Sequence, residues 1–210
     1  MKIALLGYGK MGKAIEEIAL KRGHSVVFKT NEASMERDVS KADLAIDFST
    51  PETVVDNIKK CFAVNVPVVV GTTGWYERFS EVCRLCELGG HSLFHATNFS
   101  IGVNIFFEVN KKLAELMNSQ PDYEIEMTEI HHTQKLDSPS GTAITLADGI
   151  IENVDRKSFW SENKPGEESI LIHAKRERDV PGIHIVNYEN EIDNIEIKHV
   201  PGRSERYQPE

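Results

Sequence analysis

The chain has 210 residues, of which 40% are hydrophobic and 27% charged, a globular composition that excludes a disordered or collagen-like protein. Its 33 acidic residues outnumber its 24 basic ones, and the net charge of -9 disfavours binding to nucleic acid or to an anionic membrane. No apolar run approaches the roughly 20 residues of a membrane-spanning helix, and the N-terminus lacks a signal-peptide pattern, so we expect a cytoplasmic protein.

The first half of the chain alternates short apolar runs with helical patterns. The apolar runs predict strands at 2–6, 26–28, 44–48, 66–70 and 92–96. The helical patterns predict helices at 10–22, from Pro51 onward and at 76–88. Because repeated strand–helix units form a parallel sheet with helices on both faces, we expect a Rossmann-like α/β domain.

The pattern changes in the second half. Helical spacing continues over 101–117, a strand is predicted at 123–130, and a helix begins at Ser140. Three further apolar runs follow without intervening helices, at 169–175, 182–188 and 192–199. Successive strands of this kind pair antiparallel, which predicts a smaller α+β domain with a mixed or antiparallel sheet. We therefore expect a dinucleotide-binding domain over 1–103, a second domain over 104–200 and a tail over 201–210.

The first motif is Gly7-Tyr8-Gly9-Lys10-Met11-Gly12, a G-x-G-x-x-G between the first predicted strand and the first predicted helix. In dinucleotide-binding domains its glycines permit a tight turn, the approach of a pyrophosphate and close packing of helix on strand. The helix N-terminus favours the phosphates, although a glycine-rich turn without a ligand is an alternative. The segment also reads as G-x-x-x-x-G-K, but the hydroxyl residue that a triphosphatase loop needs next is Ala14 here.

The end of the second predicted strand bears on which dinucleotide is bound. An acidic residue about 20 positions after the glycine loop usually holds the ribose hydroxyls. This chain has Lys29-Thr30-Asn31-Glu32 there. Lys29 and Asn31 suit a 2′-phosphate and Glu32 suits a 2′-hydroxyl, so NADPH and NADH both remain open. Lys29 alone is also typical of a solvated surface lysine.

Three more loops leave the carboxyl ends of predicted strands, where ligands bind in open parallel sheets. They are Asp47-Phe48-Ser49-Thr50, Gly71-Thr72-Thr73-Gly74 and Ala96-Thr97-Asn98-Phe99-Ser100. Glycines and hydroxyl groups allow a nicotinamide ribose to approach the backbone and to be hydrogen-bonded. Each loop is unremarkable as a turn, but their common edge favours one shared site.

A second cluster of polar residues lies in the second half. His131, His132 and Lys135 follow a predicted strand, and Ser140-Gly141-Thr142 opens the next helix. Ser140 and Thr142 at a helix N-terminus, with Gly141 giving backbone access, form a nest for a carboxylate. The histidines are suited to proton transfer near neutral pH, and Lys135 adds positive charge. Alternatively, Ser140 only caps the helix and the histidines are exposed loop residues.

These motifs resemble those of the dihydrodipicolinate reductases of bacterial lysine biosynthesis. The segment from His131 to Thr142 is similar to the family signature, and the glycine loop, Val70–Gly74 and Asn98–Asn104 occur in the family's order. The resemblance covers about residues 1–199. It implies reduction of 4-hydroxy-tetrahydrodipicolinate to tetrahydrodipicolinate, with loss of water, using NADPH or NADH.

The resemblance also implies roles for individual residues. His131 would be the general acid and Lys135 a second proton donor, while His132, Gly141 and Thr142, with Ser140 of the predicted nest, would hold the substrate carboxylates. The residues implied for the cofactor are Gly7, Tyr8, Gly9, Lys10, Met11 and Gly12, Gly71, Thr72 and Thr73, and Ala96, Thr97, Asn98 and Phe99. Lys29 and Asn31 are added as candidates for the adenosine ribose.

The resemblance further implies a homotetramer built through the sheet of the second domain. Family members continue past the last strand with a helix that returns to the cofactor domain, and we expect the tail over 201–210 to lack it. This departure keeps a second hypothesis open, a nonenzymatic dinucleotide-binding or sensor protein. His173, His184 and His199 fall on separate predicted strands without metal-ligand spacing, so we predict no metal site.

Overall fold

The computed structural model describes residues 1–31, 36–135 and 137–202. The chain forms two compact units, Met1–Thr97 and Asn98–Glu210, so the boundary precedes the expected one after residue 103. The reason is that the helix beginning at Ile101 belongs to the second unit, where its Val103 and Phe106 enter the core. No helix in the described ranges is both long and apolar enough to span a membrane.

The first unit contains one parallel sheet of five strands, as the alternating pattern predicts. The strands are β1 (Lys2–Leu6), β2 (Ser25–Thr30), β3 (Leu44–Asp47), β4 (Val68–Val70) and β5 (Leu93–His95). Their order in the sheet is β2-β1-β3-β4-β5, with every neighbouring pair parallel. The strand order reverses between β1 and β3, and ligands bind at such a switch point, beyond the carboxyl ends of the strands.

Helices connect these strands. They are α1 (Lys10–Lys21), α2 (Glu36–Val39), α3 (Val54–Ala63) and α4 (Phe79–Gly89), with a 3₁₀ turn at Tyr76–Arg78 before α4. The predicted helix after Pro51 begins at Val54, and the sequence did not predict the single-turn α2. Helix α3 places Val54, Ile58 and Cys61 on one buried face against the sheet, because residues three or four apart share a face.

The second unit has two helices and a mixed five-stranded sheet. Its elements are α5 (Ile101–Met117), β6 (Glu124–His131), α6 (Gly141–Ile151), β7 (Phe159–Ser161), β8 (Ser169–Arg176), β9 (Ile183–Glu189) and β10 (Asn194–His199). The strand order is β10-β9-β6-β8-β7. The core lies between α5, α6 and one sheet face, and includes Phe106, Leu146, Ile172 and Tyr188.

The pairing of these strands corrects part of the prediction. β9 and β10 pair antiparallel as expected, but β8 does not neighbour β9. It pairs parallel with β6, because α6 carries the chain back over the sheet before β7 and β8, as in a strand–helix–strand crossover. β6 therefore lies between β8 and β9, a mixed arrangement.

Strand β6 carries the buried titratable residues of this unit. Its buried face carries Ile125, Met127, Glu129 and His131 at alternate positions. The first two side chains are apolar and join the core. The last two continue the same buried row with a carboxylate and an imidazole, so the fold places two titratable groups inside the protein at the carboxyl end of the strand.

Candidate active site

The glycine loop of the first unit lies at the β1–β3 switch point. Gly7 has φ +93°, and a Cβ there would lie 2.1 Å from the carbonyl oxygen of Phe48, so only glycine fits. The Gly7 N–H donates to the Thr30 carbonyl, and the Phe48 N–H donates to the Leu6 carbonyl. These bonds join the loops after β1, β2 and β3 at one edge of the sheet.

The start of α1 fits the pyrophosphate of a dinucleotide. A Cβ on Gly9 would meet no atom within 4 Å, so the space beside this residue is open. Gly9 caps the helix without a side-chain hydrogen bond, and the first turn carries no acidic residue. The first N–H groups of α1, from Lys10 onward, have no acceptor within the helix, and no carboxylate of the first turn competes for them, as a phosphate requires.

The candidates for the adenosine ribose are engaged with their neighbours. Asn31 accepts a hydrogen bond from the Tyr8 N–H through its side-chain oxygen. Nζ of Lys29 lies 2.9 Å from Glu16 and 4.4 Å from the centre of the Tyr8 ring. Hydrogen bonds from Tyr8 and then Lys29 lower the pKa of Glu16. Glu32 lies outside the described residues, so the choice between NADPH and NADH stays open.

Asp47, at the end of β3, ties two of the predicted cofactor loops together. Its buried carboxylate accepts hydrogen bonds from the Ser49 N–H at 3.0 Å, the Ser49 hydroxyl at 2.7 Å and the Thr72 hydroxyl at 2.7 Å. Asn57 of α3 donates a fourth, at 2.8 Å. From the sequence, Asp47 was named only as the first residue of one cofactor loop. The structure shows that this buried carboxylate links the loops after β3 and β4 through hydrogen bonds.

We expect Asp47→Ala to lower the free energy of unfolding by about 2 kcal/mol or more, because it leaves several buried donors without an acceptor. Cofactor binding should weaken as well, since the loops after β3 and β4 lose their common anchor. Denaturant unfolding and a fluorescence titration with NADPH would measure the two effects. Asp43→Ala is the matched control, because Asp43 is exposed and accepts one bond, from the Lys2 N–H. Equal stability of the two variants would contradict this prediction.

The remaining cofactor candidates are divided between the units. Gly71 packs on Phe48, where a Cβ would lie 2.2 Å from the ring, and Thr73 follows in the same loop. Ala96 donates its N–H to the Val70 carbonyl and precedes Thr97, the last residue of the first unit. Asn98 and Phe99 belong to the second unit, in which the Phe99 side chain is exposed.

In the second unit, Glu129 is the centre of the buried cluster. Strand register places His184 of β9 directly opposite Glu129, and Arg176 of β8 opposite His131. The Glu129 carboxylate lies 3.4 Å from Nδ1 of His131, 3.7 Å from Nε2 of His184 and 3.4 Å from Nη1 of Arg176. It also accepts the Ser140 N–H, at 3.1 and 3.2 Å from its two oxygens.

This environment shifts two pKa values. Burial lowers the pKa of His131 to about 4, and the nearby Glu129 only partly opposes that effect. Burial by itself would raise the pKa of Glu129, but hydrogen bonds from His184 and Ser140 and the charge of His131 hold it at about 2. Without a ligand, the pair at neutral pH is therefore a neutral imidazole beside an ionised carboxylate.

Ser140, Gly141 and Thr142, the residues of the predicted anion nest, lie at the start of α6, where Ser140 has its own partners. The Ser140 hydroxyl accepts the Ala143 N–H at 3.2 Å, which caps the helix, and lies 3.2 Å from Nε2 of His184. The Thr142 hydroxyl is 3.3 Å from the amide nitrogen of Asn98. The backbone of Gly141 and Thr142 lies in the first turn of α6, where N–H groups have no partner within the helix.

Of the other two predicted residues, Lys135 is held by a neighbour. Its ammonium lies 2.8 and 2.9 Å from the two carboxylate oxygens of Asp137. The carbonyl of Asp137 accepts a bond of 2.6 Å from Arg176, which links this loop to the Glu129 cluster. His132 is half-buried, and its carbonyl accepts the Lys135 N–H, which closes a turn between the two residues. His131, Lys135 and Ser140 are thus joined through Glu129, Arg176 and Asp137.

Glu129 and Arg176 were not predicted from the sequence, and His184 was weighed there only as a metal ligand. The alternation of β6 signalled that Glu129 is buried, but the pairing of β6 with β8 and β9 was needed to show its partners. Atoms of Glu129, His131 and His184 lie within 4.8 Å of one another, a spacing suited to a metal ion. Glu129 and His184 are, however, already hydrogen-bonded to Ser140.

The first unit is an open parallel sheet with a glycine loop at its switch point, which is the architecture of an NAD(P)-dependent oxidoreductase. The second unit adds a histidine, a lysine and the start of a helix within one hydrogen-bonded cluster. Two family models match the chain: dihydrodipicolinate reductase, N-terminus, over residues 1–99, and dihydrodipicolinate reductase, C-terminus, over residues 102–208. The chain belongs to the dihydrodipicolinate reductase family.

Individual relatives agree with this assignment. A 4-hydroxy-tetrahydrodipicolinate reductase of Christiangramia forsetii is 49% identical over 201 residues, which are 95% of this chain and 84% of the relative. One of Thermosipho africanus is 32% identical, over 95% of this chain and 82% of the relative. The structure of a dipicolinate-bound dihydrodipicolinate reductase from Paenisporosarcina sp. TG-14 shares the fold, with a TM-score of 0.68 and 24% identity over 96% of this chain and 88% of that one.

Proposed function

We infer that the chain reduces 4-hydroxy-tetrahydrodipicolinate to tetrahydrodipicolinate with NADPH or NADH, in the biosynthesis of diaminopimelate and lysine. The observation that carries this inference is the 49% identity, over 95% of the chain, to a reductase named for this substrate. The reaction consumes one reduced nicotinamide dinucleotide and one proton, and releases the oxidised dinucleotide and one water. The enzyme acts in the cytoplasm, where this cofactor pool is found.

The bound dinucleotide supplies a hydride, and the rest of the chemistry falls to the chain. Loss of the 4-hydroxyl group as water gives a conjugated imine, and hydride addition to that imine leaves negative charge that a proton must neutralise. His131 is the proton donor. Its pKa of about 4 makes it neutral in the ligand-free chain at neutral pH. A dicarboxylate bound beside it favours the charged imidazolium, so His131 takes up its proton as the substrate binds.

The substrate carboxylates are held from two sides. Gly141 and Thr142 present backbone N–H groups at the positive end of α6, and the Thr142 hydroxyl adds a donor. Lys135 and His132 supply side-chain donors, and Lys135 must exchange its partner Asp137 for the substrate. Ser140 acts as the cap that shapes this helix start. The dipicolinate bound to the Paenisporosarcina reductase is a dicarboxylate of the same kind.

The cofactor is held by the first unit and by the residues that follow it. The Gly7–Gly12 loop and the start of α1 bind the pyrophosphate. Lys29 and Asn31, at the end of β2, contact the adenosine ribose. The loop Gly71-Thr72-Thr73 and the segment Ala96-Thr97-Asn98-Phe99 hold the nicotinamide half. Supporting this division, the loops after β1 and β2, and those after β3 and β4, are joined by hydrogen bonds.

A turnover assay tests the proposed function. Purified chain would be supplied with the product of the preceding synthase, and oxidation of NADPH and of NADH would be followed separately by absorbance. We expect turnover with at least one cofactor, and the ratio of the two rates gives the preference. Tight cofactor binding without turnover would instead favour the nonenzymatic sensor. Neither binding nor turnover would overturn both hypotheses.

We also propose that the second unit assembles the chain into a homotetramer. The sheet face opposite α5 and α6 carries partly exposed apolar side chains on three adjacent strands, Ile130, Leu171, Ile183 and Ile185. Such a face is normally covered in a soluble protein. Multi-angle light scattering at micromolar concentration should give four times the chain mass of 23.6 kDa. The mass of a monomer would contradict the assembly.

A further inference from the structure

Glu129 is the most unusual buried group outside the predicted machinery. Its side chain is 1% exposed, yet it is ionised and lies among three positively charged or titratable groups, His131, His184 and Arg176. A buried carboxylate is costly unless hydrogen bonds and opposite charge compensate it. Apolar residues occupy the preceding positions of the same row on β6, so packing alone does not require an acid at this one.

The contacts distinguish the two histidines. Nε2 of His184 is bonded to the Ser140 hydroxyl, which connects this ring to the cap of α6. Nδ1 of His131 is buried and lies 3.4 Å from Glu129, with no hydrogen-bond partner among the described residues. This nitrogen is where an extra proton on His131 would meet the carboxylate. On the other side of the ring, Gly182 packs close to Nε2, and a Cβ there would lie only 2.9 Å from this nitrogen, so a side chain at this position would cover it.

We propose that Glu129 is the positioning residue for His131: its carboxylate faces Nδ1 and stabilises the imidazolium, so that Nε2 is the nitrogen that delivers the proton to the substrate. The proposal rests on the proposed function, in which His131 is the acid. In other enzymes too, a buried carboxylate orients a catalytic imidazole and stabilises its charged form. Glu129 has a second task here, because the same carboxylate accepts the Ser140 N–H and so fixes the start of the anion-binding helix.

The charges around His131 determine the direction in which each substitution should shift its pKa. Glu129 of β6 raises the pKa of His131, whereas His184 of β9, Arg176 of β8 and Lys135 of the following loop lower it. Glu129→Gln should therefore lower this pKa, by about 1 unit or more. If protonated His131 is required, kcat falls as pH rises through the pKa of the enzyme–substrate complex, and the variant loses activity at lower pH than the wild type does.

The experiment combines a kcat–pH profile with a direct titration of His131 by NMR on histidine-labelled protein. In Glu129→Gln we expect both the kinetic pKa and the NMR pKa of His131 to fall, with a loss of about 10-fold in kcat at neutral pH. Glu129→Asp, which keeps the charge, should restore the position of the profile. Glu152→Gln is the control, because that carboxylate of the same unit is exposed and lies 3.8 Å from Lys111.

Arg176→Gln keeps the proposal testable if Glu129→Gln does not fold. Arg176 is partly exposed, and its charge lowers the pKa of His131 whereas that of Glu129 raises it. Removing Arg176 should therefore move the kinetic pKa and the NMR pKa of His131 upward, opposite to the shift expected for Glu129→Gln. A His131 pKa that neither substitution moves would overturn the inference even if the enzyme is active, and so would activity loss in Glu129→Gln without a shifted profile. A wild-type chain that shows no turnover would overturn the proposed function instead, whatever the NMR titration shows.

Discussion

Replacing His131 with glutamine is expected to lower kcat by about 10²- to 10⁴-fold, the usual contribution of a general acid. Glutamine retains the approximate volume and polarity of the side chain inside a buried pocket but has no transferable proton near neutral pH. Because His131 lies on β6 of the second unit and the glycine loop lies in the first, the dissociation constant of NADPH should stay nearly unchanged. Steady-state kinetics and a fluorescence titration would measure the two quantities.

Lys135→Ala is the informative comparison. In the proposed function, the charge of Lys135 serves both substrate binding and proton delivery, so we expect its loss to lower kcat and raise KM together. The His131 variant should act mainly on kcat. Should His131→Gln turn over at the wild-type rate, the buried cluster would not be the source of the proton, and Lys135 would be the remaining donor.

Much of the fold could be predicted from the sequence because its elements are long or strongly patterned. β1 and α5 have the predicted bounds, since each is a continuous apolar or amphipathic segment between clear breaks. β7 was not predicted, because it has only three residues, runs directly into a polar stretch and pairs only with β8. The position of β8 beside β6 was predicted incorrectly, since the direction of a crossover depends on where α6 packs and not on the strand's own residues.

Some residues of the candidate site could be predicted from the sequence and others could not. The His131–Thr142 segment could be found because its residues are close in sequence and match a family signature. Glu129 and Arg176 could not be found by spacing, because 47 residues separate them and only the register of β6 and β8 brings them together. Ser140 was found, but its main contacts are a cap and a link to His184, which depend on burial that the sequence does not show.

Gly9→Ala is expected to weaken cofactor binding by about 10- to 100-fold while leaving the free energy of unfolding within about 1 kcal/mol of the wild type. Gly9 has φ -79° and ψ -151°, at the edge of the extended region that other residues also adopt, and its Cβ would meet no protein atom within 4 Å. The methyl group would therefore occupy only the space that a pyrophosphate needs. Isothermal titration with NADPH and denaturant unfolding would measure both quantities on the same preparation.

Gly7→Ala is the matched comparison two residues earlier. Its φ of +93° is unfavourable for alanine, and the new Cβ would lie 2.1 Å from the Phe48 carbonyl oxygen, so the backbone of the β3 loop would have to move. We expect this variant to lose about 2 kcal/mol or more of stability before any ligand is added. The contrast separates a glycine needed for folding from one needed for binding. If Gly9→Ala bound NADPH as tightly as the wild type, the pyrophosphate would not lie at the start of α1, and the dinucleotide site would have to be sought elsewhere along the sheet edge.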